Sequence, residues 1–129
     1  MDAPSDPSAG LIRAGEREPQ HVADGSSVRE LAHPGWSTAR GLSVAEATVA
    51  PGEATRLHLH RRSEEIYVFT AGRGRMALGA REFGVAAGEV VVIAPGTAHR
   101  LINGGAEPLV LICCCAPAYS EADTELLDG

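Results

Sequence analysis

The amino-acid sequence predicts an all-β protein, folded as a sandwich or barrel of short strands. Apolar and polar residues alternate in short runs, which is the pattern of half-buried strands. Glycine- and proline-rich turn signals separate these runs about every eight to twelve residues. No helical periodicity is evident before the C-terminal tail. With 129 residues, the chain is long enough for one domain with its own hydrophobic core.

Composition divides the chain into three parts. Residues 1–25 are rich in Pro, Asp, Glu, Gly and Ser, which predicts a flexible N-terminal arm. Residues 26–118 carry the strand pattern and are expected to form the barrel domain. Residues 119–129 form an acidic C-terminal tail, for which we expect one helical turn or a docked arm.

The strands are expected in a regular order along the barrel domain. A first strand is predicted at residues 28–31, before the chain break at Pro34-Gly35. The continuous apolar run Val90–Ile93 predicts a strand buried on both faces. The other strands are expected at residues 42–49, 55–60, 65–70, 75–79, 81–85, 99–103 and 109–116.

Charge and cysteine usage exclude several classes of function. The net charge of -6 argues against nucleic-acid binding, which needs a basic surface. No apolar run approaches the ~20 residues that span a bilayer, so no membrane association is expected. The N-terminus does not resemble a secretory signal. The three adjacent cysteines, Cys113, Cys114 and Cys115, do not form a disulfide framework. These features together predict a cytoplasmic protein.

Four residues stand out as candidate metal ligands. His58 and His60 lie two positions apart on one predicted strand, so their side chains share a face. Glu65 follows a short polar turn that would return its carboxylate to the two rings. His99 opens a later strand. Each residue also has an ordinary interpretation, as a surface or hydrogen-bonded histidine or as a solvated turn carboxylate, which is how we interpret Glu64.

Taken together, three imidazole nitrogens and one carboxylate on short strands are typical of a metal site. This donor set suits a single divalent ion, namely Fe, Mn, Ni, Co or Zn. The sequence therefore predicts one metal held by His58, His60, Glu65 and His99.

The region from Gly52 to Asn103 resembles the cupin superfamily. Its first motif, G-x5-H-x-H-x3,4-E-x6-G, is matched throughout by Gly52-EATRL-His58-Leu-His60-RRSE-Glu65-IYVFTA-Gly72. Its second, G-x5-P-x-G-x2-H-x3-N, is matched by Gly88-EVVVI-Ala94-Pro95-Gly96-TA-His99-RLI-Asn103. Ala94 stands where the family usually has proline, which leaves the ligand spacing intact.

The resemblance implies a double-stranded β-helix, that is, a jelly-roll barrel with a metal near one mouth. It implies His58, His60, Glu65 and His99 as ligands, with Glu65 preferred to Glu64 because it leaves six residues before Gly72. It also implies a homodimer and a metalloenzyme acting on a small oxygen-rich molecule, of dioxygenase type or an isomerase or lyase. The alternative is a non-catalytic cupin that binds or senses a small molecule.

Three further residues and the cysteines have open roles. Asn103 shares the strand face of His99 and is expected to make structural hydrogen bonds. Arg56 is either a solvated strand-end arginine, which we favour, or a group that binds an anionic ligand. Cys113 and Cys115 share one strand face and Cys114 the other, but the sequence does not say which face is interior. No role is predicted for Trp36.

Overall fold

Two antiparallel sheets with a shared core make up the computed structural model, which describes residues 4–128. The first sheet has six strands, in the spatial order β1 (Gln20–His21), β2 (Ser27–Ala32), β3 (Ser43–Val49), β10 (Leu109–Ala116), β5 (Glu64–Ala71) and β8 (Val90–Ile93). The second has five, in the order β11 (Thr124–Leu126), β4 (His58–His60), β9 (His99–Ile102), β6 (Arg73–Leu78) and β7 (Arg81–Ala86). The predicted all-β barrel is confirmed.

The core lies between the sheets and draws alternate residues from both. Phe69 on β5, Leu109 and Leu111 on β10 and Met76 on β6 are almost completely buried. Because successive side chains of a strand point to opposite faces, this alternation leaves half of each strand for the outer surface. With so few aromatic residues, the core consists mainly of aliphatic side chains, as the composition implies.

Strand β8 differs from its prediction. Its four apolar residues were expected to be buried on both faces, yet Val90 and Val92 are 57% and 58% exposed, whereas Val91 and Ile93 are buried. The reason is that β8 is an edge strand and its alternation turns Val90 and Val92 to the outer face of the sheet. A run of valines therefore does not by itself distinguish a central strand from an edge strand.

Both ends of the chain join the sheets. Strand β1, which lies within the predicted arm, pairs with β2. The tail forms a 3-10 turn at Glu121–Asp123 and then β11, which pairs antiparallel with β4. The tail thus combines the two expected forms, a helical turn and a docked arm. In residues 4–128, no helix is long and apolar enough to cross a membrane.

Gly72 joins β5 to β6 at a point where the backbone passes close to the start of β10. Gly72 has a φ of 79°, in the left-handed region that favours glycine. A Cβ atom added here would overlap the carbonyl oxygen of Pro108 and lie 3.2 Å from the Cα atom of Leu109. Only glycine therefore lets the turn pass this close to the start of β10.

We expect Gly72→Ala to destabilise the barrel far more than Gly52→Ala. Gly52 has the same φ of 79° but open space around its Cα atom, so its substitution costs only the left-handed backbone penalty, roughly 1–2 kcal/mol. The Gly72 substitution adds the overlap with Pro108. Urea unfolding of both variants measures the difference, and equal losses of stability would contradict the close-approach argument.

Candidate metal centre

Three buried imidazole rings converge in the barrel interior. His58 and His60 come from β4, and His99 lies directly opposite His58 on β9. One nitrogen atom from each ring points into the cluster, and these three nitrogen atoms lie within 4.8 Å of one another. The strand spacing predicted from the sequence thus does place both β4 histidines on one face, and the sheet pairing supplies the third.

Backbone carbonyls fix the proton position in two of the rings. The Nδ1 atom of His58 lies 2.7 Å from the carbonyl oxygen of Arg56, and Nδ1 of His99 lies 2.9 Å from that of Thr97. A carbonyl can only accept, so each Nδ1 must carry the hydrogen. In the neutral ring, Nε2 is then an unprotonated lone-pair donor that faces the centre of the cluster.

A hydroxyl group does the same for His60. Its Nδ1 lies 3.0 Å from Thr124 Oγ1, and that hydroxyl donates to the carbonyl oxygen of Ser120 over 2.9 Å. Because the hydroxyl hydrogen is already used, Thr124 accepts from the ring. The pairing of β11 with β4 sets Thr124 opposite His60, so the C-terminal tail orients a candidate metal ligand.

Glu65 brings a carboxylate from the opposite sheet. Its Oε1 atom lies 3.3 Å from Nε2 of both His60 and His99, and its Oε2 accepts a hydrogen bond from the Cys115 thiol over 3.0 Å. Burial alone would raise the pKa of Glu65, but hydrogen bonds from His60 and His99, when their Nε2 atoms are protonated, outweigh burial and lower it. Glu64 is exposed, so the geometry favours Glu65, the residue chosen from the sequence.

The donor atoms fit a cation. Glu65 Oε1 and His99 Nε2 are buried without a hydrogen-bond partner, although they face one another. Two buried acceptors in this arrangement are unfavourable unless something positive lies between them. Burial, followed by the neighbouring His99, lowers the pKa of His58, so this ring is neutral at pH 7. A proton could bridge one nitrogen–carboxylate pair at a time, whereas a divalent ion satisfies the whole set.

A cavity of about 160 Å³ leads to this cluster. His58, His60 and Glu65 border it, and much of its wall is apolar. The aliphatic residues of the wall are Val22, Val28, Ala45, Ala47, Val49, Leu101 and Leu111. Another part of the wall comes from the N-terminal segment between Arg17 and Ser26. The second half of the predicted arm therefore forms part of the cavity wall.

The structure shows where Asn103, Arg56 and the three cysteines lie relative to the cavity. Asn103 is fully buried; its Nδ2 donates to the carbonyl oxygens of Val49 and Glu107, which confirms a structural role. Arg56 pairs with Asp128 at 3.2 Å on the surface and does not border the cavity, as the favoured interpretation expects. Cys113 and Cys115 border the cavity, and Cys114 does not.

Two residues near the cluster were missed by the sequence analysis. Asp24 places its Oδ2 atom 3.8 Å from His58 Nε2, and Thr124 holds His60. The dipeptide Asp24-Gly25 is a hairpin-turn signal, which could have predicted a turn at Asp24. The tail carries no comparable signal for Thr124, since its pairing with β4 depends on the folded barrel.

The cupin domain family matches residues 45–115, which is more than half of the chain. The chain belongs to the cupin family. The uncharacterized protein MJ1618 of Methanocaldococcus jannaschii is 44% identical over 111 residues, which cover 86% of this chain and 89% of that protein. The barrel, with its three-histidine cluster, is that of a metal-binding cupin.

Solved cupin structures share the fold. An oxalate decarboxylase from Lactobacillus farciminis, in a formate complex, matches with a TM-score of 0.80 and 26% identity. The match covers 95% of this chain but only 37% of that longer one. A predicted oxalate decarboxylase from Thermotoga maritima matches with a TM-score of 0.73 and 21% identity, over 83% of this chain and 98% of the other. The double-stranded β-helix expected from the sequence is confirmed.

We expect Thr124→Val to weaken metal binding by roughly 10–100-fold, the usual cost of losing a partner that orients a ligand. The substitution keeps the side-chain volume but removes the acceptor for His60 Nδ1. Thr70→Val is the matched control, since it also removes a hydroxyl-to-carbonyl bond, here to Val110 on the exposed surface. Calorimetric metal titration of both variants measures the effect, and an equal change in affinity would contradict the assigned role.

We expect the three adjacent cysteines to differ in reactivity. Burial, reinforced by the negative charge of Glu65, raises the pKa of Cys113 and Cys115, so both stay protonated at pH 8. The thiolate is the reactive form, so iodoacetamide should label Cys114 first in the native protein and all three after unfolding. Tandem mass spectrometry resolves the positions. Labelling of native Cys115 as fast as Cys114 would contradict the arrangement.

Proposed function

We propose that this cupin holds one divalent metal ion through His58, His60, Glu65 and His99 and is a metalloenzyme acting on a small oxygen-rich molecule. The observation that carries the proposal is the convergence of lone-pair Nε2 atoms and the Glu65 Oε1 atom at the end of a cavity. The ion is Fe, Mn, Ni, Co or Zn, all of which accept imidazole nitrogen.

When bound, such an ion supplies Lewis acidity toward oxygen atoms of a ligand. The chain's own residues prepare the site for it. The carbonyl groups of Arg56 and Thr97 and the hydroxyl of Thr124 keep the three rings in the ligating tautomer. The Cys115 thiol holds Oε2 of Glu65, so that Oε1 is turned toward the rings.

The cavity sets the size of the molecule. A cavity of about 150 Å³ accommodates benzene, so the 160 Å³ observed here suits a molecule of about six non-hydrogen atoms. The apolar part of its wall lowers the local polarity, which strengthens electrostatic interactions beside the candidate ligands. The Lactobacillus relative, named as an oxalate decarboxylase, supports a small oxygen-rich ligand.

For the reaction we propose dioxygenase chemistry first, followed by isomerase or lyase chemistry. With Glu65 used as a ligand, metal-centred chemistry is favoured over pure acid–base chemistry. The homodimer and the cytoplasmic location stay predictions from the sequence, and light scattering tests the first of them.

We expect the purified protein to carry one metal ion per chain and His99→Ala to carry almost none. Loss of a ligand should lower the affinity by more than the roughly 10–100-fold cost of losing an orienting partner. His21→Ala is the control, because His21 is exposed on β1. Elemental analysis of untagged protein gives the metal and its amount. Equal metal content in the two variants would overturn the proposed site.

The activity is tested with the metal-loaded protein and panels of enediols, 1,3-diketones and hydroxy acids. An oxygen electrode detects dioxygenase turnover, and proton NMR of the mixture detects isomerisation or cleavage. Turnover that disappears in His99→Ala supports the enzyme. Ligands that bind and are recovered unchanged with Fe, Mn and Ni would refute it and favour a non-catalytic binding or sensor protein.

A further inference from the structure

A hairpin turn in the N-terminal segment brings a second carboxylate to the candidate metal centre. The turn joins β1 to β2 and contains Asp24-Gly25, with Gly25 at a φ of 89°. It is closed by a hydrogen bond from the amide of Val22 to the carbonyl oxygen of Ser26. The Asp24 side chain is only 17% exposed and borders the cavity, and its Oδ2 atom lies 3.8 Å from His58 Nε2.

The orientation of this carboxylate is fixed by its neighbours. Its Oδ1 atom accepts hydrogen bonds from both the amide and the hydroxyl of Ser26, at 2.9 and 2.6 Å. The carbonyl oxygen of Asp24 accepts from the amide of Arg56, which ties the turn to the chain just before β4. With Oδ1 engaged by Ser26, Oδ2 is the oxygen turned toward His58.

The two facing atoms are both acceptors. Nε2 of His58 is the lone-pair nitrogen, since Nδ1 donates to Arg56, and Oδ2 of Asp24 is a carboxylate oxygen. They cannot hydrogen-bond to each other, and a ligand made only of acceptors would add a third unfavourable contact. A ligand with a hydroxyl group could instead donate to Oδ2 while its other oxygens point toward the three histidines.

Positive charge that could recognise a dicarboxylate is engaged elsewhere. Arg17 borders the cavity, but its guanidinium stacks on Trp36, with 3.8 Å from Cζ to the ring centroid, and its Nε donates to the Glu30 carbonyl. Arg56 pairs with Asp128 on the surface. The charged side chain that lies beside His58 in the cavity wall is therefore the Asp24 carboxylate.

From these contacts we propose that Asp24 determines ligand specificity, selecting molecules that carry a hydroxyl donor beside their metal-binding oxygen, such as α-hydroxy acids or enediols, and disfavouring dicarboxylates such as oxalate. This inference rests on the proposed metal site. It gives the site a chemistry different from the one that the names of its oxalate decarboxylase relatives would suggest. Asp24 acts by contact with the ligand, independently of which metal is present.

The test compares glycolate with methoxyacetate, which has the same charge but lacks the hydroxyl donor. Binding to the protein in its purified, metal-containing form is measured by calorimetry. The wild-type protein should prefer glycolate by about tenfold or more, the effect of one hydrogen bond to a charged group. Asp24→Ala should abolish this preference. Asp24→Asn, with an amide of the same shape, should retain part of it through the amide oxygen.

Oxalate provides a second comparison. Asp24→Asn should raise the ratio of oxalate affinity to glycolate affinity by about tenfold over that of the wild-type protein. Because oxalate chelates metal equally well in both proteins, its intrinsic chelating power cancels in this comparison. Glu89→Gln removes the same charge from an exposed residue that does not border the cavity, and it should leave the glycolate-to-methoxyacetate ratio unchanged.

The outcomes separate the two proposals. If Asp24→Ala keeps its metal but also keeps the glycolate preference, the specificity role is refuted while the metal site stands. If the wild-type protein contains no metal and does not bind one, the proposed function fails first. A thermal melt of each variant shows whether the barrel is folded, and Asp24→Asn carries the test should Asp24→Ala unfold.

Discussion

Three acceptors buried behind the imidazole rings control what the centre of this barrel can bind. Each ring donates a hydrogen bond from Nδ1 to one of them, namely the carbonyl groups of Arg56 and Thr97 and the hydroxyl of Thr124. Without them, a neutral histidine could turn a protonated nitrogen inward, where it would repel a cation. Because all three rings are held the same way, the interior presents lone pairs, and the unpartnered Glu65 Oε1 completes an electron-rich pocket.

The two sheets supply different groups to this pocket. The second sheet supplies the histidines from adjacent short strands, where direct pairing of His58 with His99 sets their separation. The first sheet supplies Glu65, the Cys115 thiol that orients it and much of the apolar cavity wall. Since the donors come from both sides of one core, the packing between the sheets sets the position of the carboxylate relative to the rings. Substitutions in that core can therefore alter the site without touching it.

The sequence predicted the fold and the central residues well because both depend on local patterns. Strand alternation placed His58 and His60 on one face, and motif spacing selected Glu65 over Glu64. Strand β10 has the predicted bounds, Leu109–Ala116. The exposure of Val90 and Val92 was missed because an edge position is decided by strand order, which a run of valines does not encode. Asp24 and Thr124 were missed for a related reason, since each reaches the centre only through pairing with distant strands.

The contacts that hold the centre join residues far apart in the sequence. Thr124 contacts a ring 64 residues before it in the chain, and Cys115 contacts a carboxylate 50 residues before it. Contacts of this kind require the closing of large loops, which costs chain entropy when the protein folds. A fragment containing only the first histidine motif would lack the partners that fix its rings. The complete donor set, together with the groups that orient it, is therefore assembled only in the folded barrel.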